Sequence, residues 1–146
     1  MSKRLTDYKV ESNEMGKVLI DKIKSISTFN LERYYNKTSG KYEYGYNPFD
    51  IFFTTDTEVS VEQEIMEMHE SHPLGINLEI TEFDRTGEVI LGIWIIQKAV
   101  INKLSFGGFE SGDYSAKIIS VNFLPTGIKF VSGKEIKKDK KDEVQE

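Results

Sequence analysis

The feature that most constrains the fold of this chain is a long apolar run beginning at Glu88, directly after the turn signal Asp84-Arg85-Thr86-Gly87. The run reads EVILGIWIIQKAV and includes the only tryptophan, Trp94. Its β-branched and aromatic residues predict a strand. Successive strand residues point to opposite faces, and here both faces are apolar as far as Ile96. The run therefore predicts either a central strand covered on both sides within one chain or a strand that another subunit completes.

The faces of this predicted strand are assigned from the period of two. One face carries Val89, Leu91, Ile93 and Ile95, and the other carries Ile90, Trp94 and Ile96 with Gly92 between them. The glycine-rich segment 107–112 then predicts a loop, and Ser115–Leu124 predicts another strand. A turn at Pro125-Thr126-Gly127 leads to a short last strand.

The earlier part of the chain predicts further strands and one helix. Strands are expected over 17–28, 29–35, 49–54 and 74–83, the last forming a hairpin with the long strand. A helix is expected from Ser60, which has the capping-box spacing to Gln63, to about Ser71. Its buried stripe would be Val61, Ile65 and Met68. The predicted fold class is mainly β, a sandwich- or barrel-like subunit with one flanking helix.

Composition and charge narrow the class of protein. The 146 residues are 38% hydrophobic and 29% charged, as in a single soluble domain. The net charge of −5 argues against tight binding of nucleic acid, although an acidic wall would let DNA slide past without adsorbing. There is no cysteine, no signal-peptide pattern and no apolar stretch of membrane-spanning length, so we expect a cytosolic product with no membrane span.

The two ends of the chain are polar and mixed in charge. We expect residues 1–16 to be a flexible arm that either orders on assembly or has no role. Residues 17–132 would form the folded domain, and 133–146 a solvated charged tail.

Three tyrosines, Tyr42, Tyr44 and Tyr46, fall on one face of a predicted strand. Two interpretations stay open: a solvated sheet face, or an assembly surface on which tyrosine gives a large contact area at low entropic cost. A glycan- or peptide-binding module would also use these rings.

No catalytic constellation is recognisable, and we predict neither an enzyme nor a cofactor. His69 and His72 are the only histidines, and two ligands at a helix end do not complete a zinc site. The loop over 107–112 lacks the Lys-Ser/Thr of a phosphate-binding loop and precedes a strand.

The last third of the chain resembles the tail tube proteins of contractile phage tails, whose relatives form type VI secretion tubes. The resemblance rests on the turn Asp84–Gly87 leading into a strand with Trp94, on Lys98-Ala99-Val100 and on Ser115–Phe123. Lys98-Ala99-Val100 departs from the family pattern because it lacks the second aromatic residue. The first half matches the family only in outline, including one helix between strands.

The resemblance implies a structural virion protein made in the host cytoplasm. Six subunits would close into a ring whose strands form one inner β-barrel, and stacked rings would form a conduit for transient, non-specific passage of DNA. Sheath, baseplate and tape-measure proteins would be its partners. The alternatives are a single initiator or adaptor ring in a baseplate and a monomeric β-sandwich binding module.

Specific residues are expected at the subunit interface and in the lumen. The inter-subunit interface is predicted to include Tyr42, Tyr44, Tyr46, Ile93, Trp94, Ile95, Phe106 and Phe109. The lumen is predicted to be lined by the polar residues of the hairpin, Asn77, Glu79 and Thr81.

Overall fold

The computed structural model describes residues 6–107 and 117–134. Nine strands and two helices lie within these ranges, so the mainly β prediction is confirmed. The strands are β1 (Thr6–Glu11), β2 (Ile23–Ile26), β3 (Leu31–Asn36), β4 (Lys41–Tyr46), β5 (Phe49–Thr54), β6 (Ile76–Asp84), β7 (Ile90–Phe106), β8 (Ile118–Leu124) and β9 (Gly127–Ser132). The helices are α1 (Lys17–Asp21) and α2 (Val61–Ser71).

Seven of the strands form one antiparallel sheet that is organised around β7. Its order is β1-β6-β7-β8-β5-β2, and β9 also pairs with β7. The first half of β7 lies between β6 and β9, and its second half pairs with β8. We call β1, β6, the first half of β7 and β9 the first layer, and the second half of β7, β8, β5 and β2 the second layer.

The change of partner along β7 occurs at Lys98, which has a positive φ of 41°. The Asn77 side chain accepts a hydrogen bond from the Lys98 backbone N–H at 3.0 Å. On the other edge of β7, the Thr126 N–H donates to the Gln97 carbonyl at the turn between β8 and β9. These bonds fix the corner at which one strand passes from the first layer to the second.

Side chains from both layers and both helices form a single hydrophobic cluster. Phe49 and Phe123 stack at 5.7 Å between ring centroids, and Ile51, Phe53 and Ile96 are fully buried beside them. Helix α2 begins at the predicted cap, where the Ser60 hydroxyl accepts the Gln63 N–H at 3.4 Å. Its predicted stripe of Val61, Ile65 and Met68 is buried in this cluster.

The structure differs from the sequence prediction in two places near the N-terminus. Lys17–Asp21 is a helix and not the start of a strand, because Met15 and Leu19, one helical turn apart, are both buried. Part of the expected arm is also a strand. Thr6–Glu11 pairs with β6 along its whole length, which buries Val10. Neither helix in the described ranges is long and apolar enough to cross a membrane.

Candidate assembly surfaces

The first layer has one face toward the core and one face toward the outside. Cross-strand partners share a face, so the register places Ile93 beside Thr81 and Val131, and Ile95 beside Glu79 and Lys129. We call this side the outer face. Its members are Lys9 and Glu11 of β1, Glu79 and Thr81 of β6, Leu91, Ile93 and Ile95 of β7, and Lys129 and Val131 of β9.

The exposure of the outer face bears on the two interpretations of the apolar run. Ile96, on the core side, is fully buried, whereas Leu91 on the outer face is 42% exposed. Ile93 and Ile95 are half-buried. The described part of the chain therefore covers this strand fully on its core side only. A partly exposed apolar row is typical of a surface that another molecule contacts.

The predicted site residues on β6 and β7 are distributed differently from the two groups proposed. Glu79 and Thr81, predicted for the lumen, lie on the same face as Ile93 and Ile95, predicted for an interface. Trp94 points to the core side, where its indole lies 4.6 Å from the ring of Phe130 and 5.2 Å from that of Phe29, measured between centroids. The structure thus separates Trp94 from its two neighbours in sequence.

Asn77, the third residue predicted for the lumen, holds a corner of the fold. Its Nδ2 donates to Glu14 at 2.9 Å, and its Oδ1 accepts the Lys98 N–H. Burial acts to raise the pKa of Glu14, but the hydrogen bonds from Asn77 and neighbouring groups outweigh it and hold that pKa below its ordinary value. The side chain of Asn77 is nevertheless exposed.

The tyrosine face forms on a separate two-stranded sheet of β3 and β4. The register places Tyr42 opposite Tyr35, Tyr44 opposite Arg33 and Tyr46 opposite Leu31, so the three tyrosines share one face as predicted. Tyr42 and Tyr44 are 62% and 63% exposed. We call this surface the tyrosine hairpin. Its rings are accessible to a partner, and no third strand in the described part of the chain pairs with them.

Side-chain contacts stiffen the tyrosine hairpin on both of its faces. On one face, the Arg33 guanidinium lies 4.1 Å above the Tyr42 ring, and Tyr35 contacts the same ring edge-on. On the other, Asn36 and Tyr34 both donate to the Glu43 carboxylate, which holds the pKa of Glu43 below and the pKa of Tyr34 above their ordinary values. The hairpin therefore presents its rings in a fixed arrangement.

The remaining predicted interface residues lie around the loop after β7. Phe106 ends β7 and is exposed beside an apolar hollow that Met66 and Ile119 also line. Phe109 lies outside the described residues. His69 and His72 lie at the C-terminal end of α2, and no group of three or more metal-ligating side chains occurs within 6–107 and 117–134.

The sequence does not predict β1, whose residues Lys9 and Glu11 lie in the expected arm. It does predict β9, as the short last strand after the turn at Pro125-Thr126-Gly127, but gives it no partner. Which strand it pairs with depends on the corner at Lys98, which no local pattern encodes.

Several solved structures have a similar arrangement of strands and helices. No protein-family model matches the sequence, and no curated protein sequence matches it. A structure of the anti-feeding prophage baseplate is similar with a TM-score of 0.57 and 11% identity, over 92% of this chain and 96% of the other. The sheath–tube complex of PVC, an extracellular contractile injection system, gives 0.56 and 11% over 86% and 88%. Hcp1 from Flavobacterium johnsoniae gives 0.55 and 11% over 86% and 94%.

The chain has a tail-tube-like fold. At these identities the similarity establishes the fold alone, and it agrees with the resemblance found in the last third of the sequence. Similar structures come from contractile injection systems and from a type VI secretion system.

Proposed function

We propose that this tail-tube-like subunit closes into six-membered rings through the two borders of its first layer. The observation that carries the proposal is that β1 and β9 each have one strand partner among the described residues. Their directions also fit, because the four strands β1, β6, β7 and β9 alternate in direction. A second copy placed beside the first would pair its β9 with β1 and continue the antiparallel order. Ring closure would leave neither border of the first layer unpaired.

In such a ring the outer face would line the lumen, with Glu79 and Thr81 next to Ile93 and Ile95. Opposite charges alternate on this face, since Lys9 and Lys129 lie among Glu11 and Glu79. DNA would therefore meet no concentrated positive charge and would pass without tight adsorption. The contacts between rings, and those with sheath, baseplate and tape-measure proteins, would use the tyrosine hairpin and the surface around Phe106.

The proposed role implies where the protein would be assembled and used. A stack of rings would form the inner tube of a contractile tail, assembled in the host cytoplasm and carried in the virion. A secretion-type injection apparatus with protein cargo would use the same ring. Similarity to structures of a sheath–tube complex and a baseplate supports either machine.

The first experiment is the mass of the purified protein in solution, followed by negative-stain electron microscopy of the same sample. Rings of six subunits or hollow tubes are the expected result. A protein that stays monomeric at high concentration, both alone and with a baseplate template, would contradict the proposal. The binding module built on the tyrosine hairpin would then take its place.

Engineered cysteines test the edges directly, because the natural chain has none. Lys9→Cys combined with Lys129→Cys, and separately with Val131→Cys, samples two registers across the β1–β9 contact. A disulfide needs the two Cβ atoms about 3.5–4.5 Å apart, so one register should give a ladder of cross-linked species ending at six. Thr81→Cys in place of Lys9→Cys is the matched control on the interior strand β6. A ladder in the control, or none in either test pair, would exclude this contact.

A single adaptor ring is the second candidate. It is favoured by similarity to structures of an anti-feeding prophage baseplate and of the cap that terminates its tube. The adaptor would form rings that do not elongate at any concentration, whereas a tube subunit would form stacks. Micrographs of one concentrated sample separate the two functions.

A further inference from the structure

A hollow of about 190 Å³ lies at the mouth between the two layers, on the core side of the first layer. Buried Ile80 contributes to its floor. Three half-buried rings, Tyr8, Phe29 and Trp94, form walls beside Glu82, and the other lining residues are Asp7, Ile26 and Ser27. We call this hollow the aromatic cup. It is separate from the outer face and from the tyrosine hairpin.

The walls of the aromatic cup are held in place by the protein itself. Trp94 lies between Phe29 and Phe130, at 5.2 and 4.6 Å. Its Nε1–H donates to Glu82 Oε1 at 2.5 Å, which fixes both the indole and the carboxylate. Phe29 is supported in turn by edge-on contact with buried Phe49. A ligand would therefore find the site already formed, which lowers the entropic cost of binding.

The residues that line the aromatic cup favour a positively charged ligand. Aromatic faces carry negative electrostatic potential, and the Glu82 carboxylate lies beside them, while none of the described residues that line the cup is basic. An anion would be repelled, and a neutral aliphatic group would gain nothing from the carboxylate. The same combination of rings and acids is the one that recognises ammonium and guanidinium groups.

We propose that the aromatic cup binds a lysine or arginine side chain of a partner protein. The hollow is smaller than the roughly 300–1,000 Å³ of sites for drug-sized ligands, and suits one side chain. The aliphatic stem would pack on Ile80 and the rings, while the charged end would reach Glu82. This site does not depend on ring formation, because all of its residues belong to one chain.

Trp94 supplies the measurement, because it is the only tryptophan and lies in the wall of the cup. Dilute full-length protein is titrated with N-acetyl-lysine amide and N-acetyl-arginine amide at constant ionic strength, while tryptophan fluorescence is followed. The uncharged control is N-acetyl-norleucine amide. We expect a saturable change with at least one cationic probe and a much weaker response to the neutral one.

Variants assign the response to the cup. Glu82→Gln should weaken binding of the cationic probe by about fivefold or more, the effect expected from a partly desolvated charge contact. Asp7→Asn should weaken it less and leave the Trp94–Glu82 bond intact, because the Asp7 carboxylate accepts the Tyr8 backbone N–H at 2.8 Å. Glu79→Gln, on the outer face of the same strand, should bind as the unmodified protein does. The proposal is overturned if neither cation gives a saturable change, if norleucine amide binds equally, or if Glu79→Gln weakens binding as much as Glu82→Gln.

Discussion

The two faces of β7 are similarly apolar in sequence as far as Ile96 and differ in their surroundings. On the core side, Ile96 is fully buried against the second layer and the helices, as is Leu78 of β6. On the outer face, Ile93 and Ile95 are half-buried and Leu91 is 42% exposed. Hydrophobicity alone therefore does not tell which side of a strand its own chain covers. The described residues leave apolar area accessible on the outer face.

The largest expected effect comes from the same substitution made on each side of β7. Ile96→Ala leaves a cavity in the core and should lower the free energy of unfolding by about 2–5 kcal/mol. Ile95→Ala, the adjacent residue on the outer face, should lower it by less than about 1 kcal/mol because its site is open to solvent. Urea unfolding followed by Trp94 fluorescence measures both. Equal losses would mean that the outer face is as well packed as the core.

The next effect concerns Gly92, on the core side of the same strand. A Cβ added there would overlap the Phe130 ring, which packs against Trp94. Gly92→Ala should therefore displace that ring and cost about 1–3 kcal/mol, the usual range for overpacking. In a Phe130→Ala background the cost should largely disappear, which urea unfolding of the four proteins in a double-mutant cycle would test. If the cost were unchanged in that background, the strain would come from the Val131 carbonyl oxygen, which would lie 3.1 Å from the added Cβ.

Sequence reasoning predicted the elements whose signals are local. The Ser60 cap, the stripe on α2, the β6–β7 hairpin and the alternation of the tyrosines are all set by residues close together in the chain, and all are present. The cap works because its hydroxyl lies three residues from the N–H that it binds.

Sequence reasoning failed where distant residues decide the structure. The strand expected from Lys17 is a helix because burial of Met15 and Leu19 against the core outweighs the β-branched residues around them. β1 was missed because its six pairings are all with residues about seventy positions later. Distant pairing also brings residues predicted for the interface and residues predicted for the lumen onto one face. The register places Ile93 opposite Thr81 and Ile95 opposite Glu79.

The tyrosine hairpin is a third surface that can be compared with the two faces of the first layer. Tyr42 contacts Arg33 and Tyr35 but remains largely exposed, so Tyr42→Ala should cost only about 0.5–1 kcal/mol in the monomer. If the hairpin is an assembly surface, the same change should weaken stacking of rings far more than it weakens the fold. Thermal unfolding at low concentration and sedimentation at high concentration separate the two quantities. Tyr34→Phe on the opposite face, which keeps the ring and loses the bond to Glu43, is the matched control.

The smallest expected effect concerns the corner at Asn77, beside the outer face. Hydrogen bonds between polar groups hold this corner together. Asn77 donates to Glu14, and Ser12 joins the same corner by accepting the Met15 N–H at 3.0 Å. The pKa of Glu14 is lowered in the folded protein, so its stabilising contribution is complete above the ordinary value of about 4.3 and is lost as the pH falls through the folded pKa. Asn77→Ala removes the side-chain bond that does most to lower this pKa and keeps the bond from the backbone N–H of residue 77. The pKa should therefore rise toward its ordinary value, which reduces the dependence of stability on acid pH.

A titration of the side-chain carboxyl carbons by NMR measures the pKa of Glu14 in both proteins. Asp84 serves as an internal reference, because its pKa is lowered chiefly by the Thr86 hydroxyl in a different turn. The Asp84 curve should be identical in the two proteins while that of Glu14 moves to higher pH. A Glu14 curve that did not move would mean that Ser12 and the local backbone are enough to hold the corner. The Asn77 side chain would then be dispensable for this pKa, and β1 would remain attached to the first layer by its backbone pairing with β6 and by the burial of Val10.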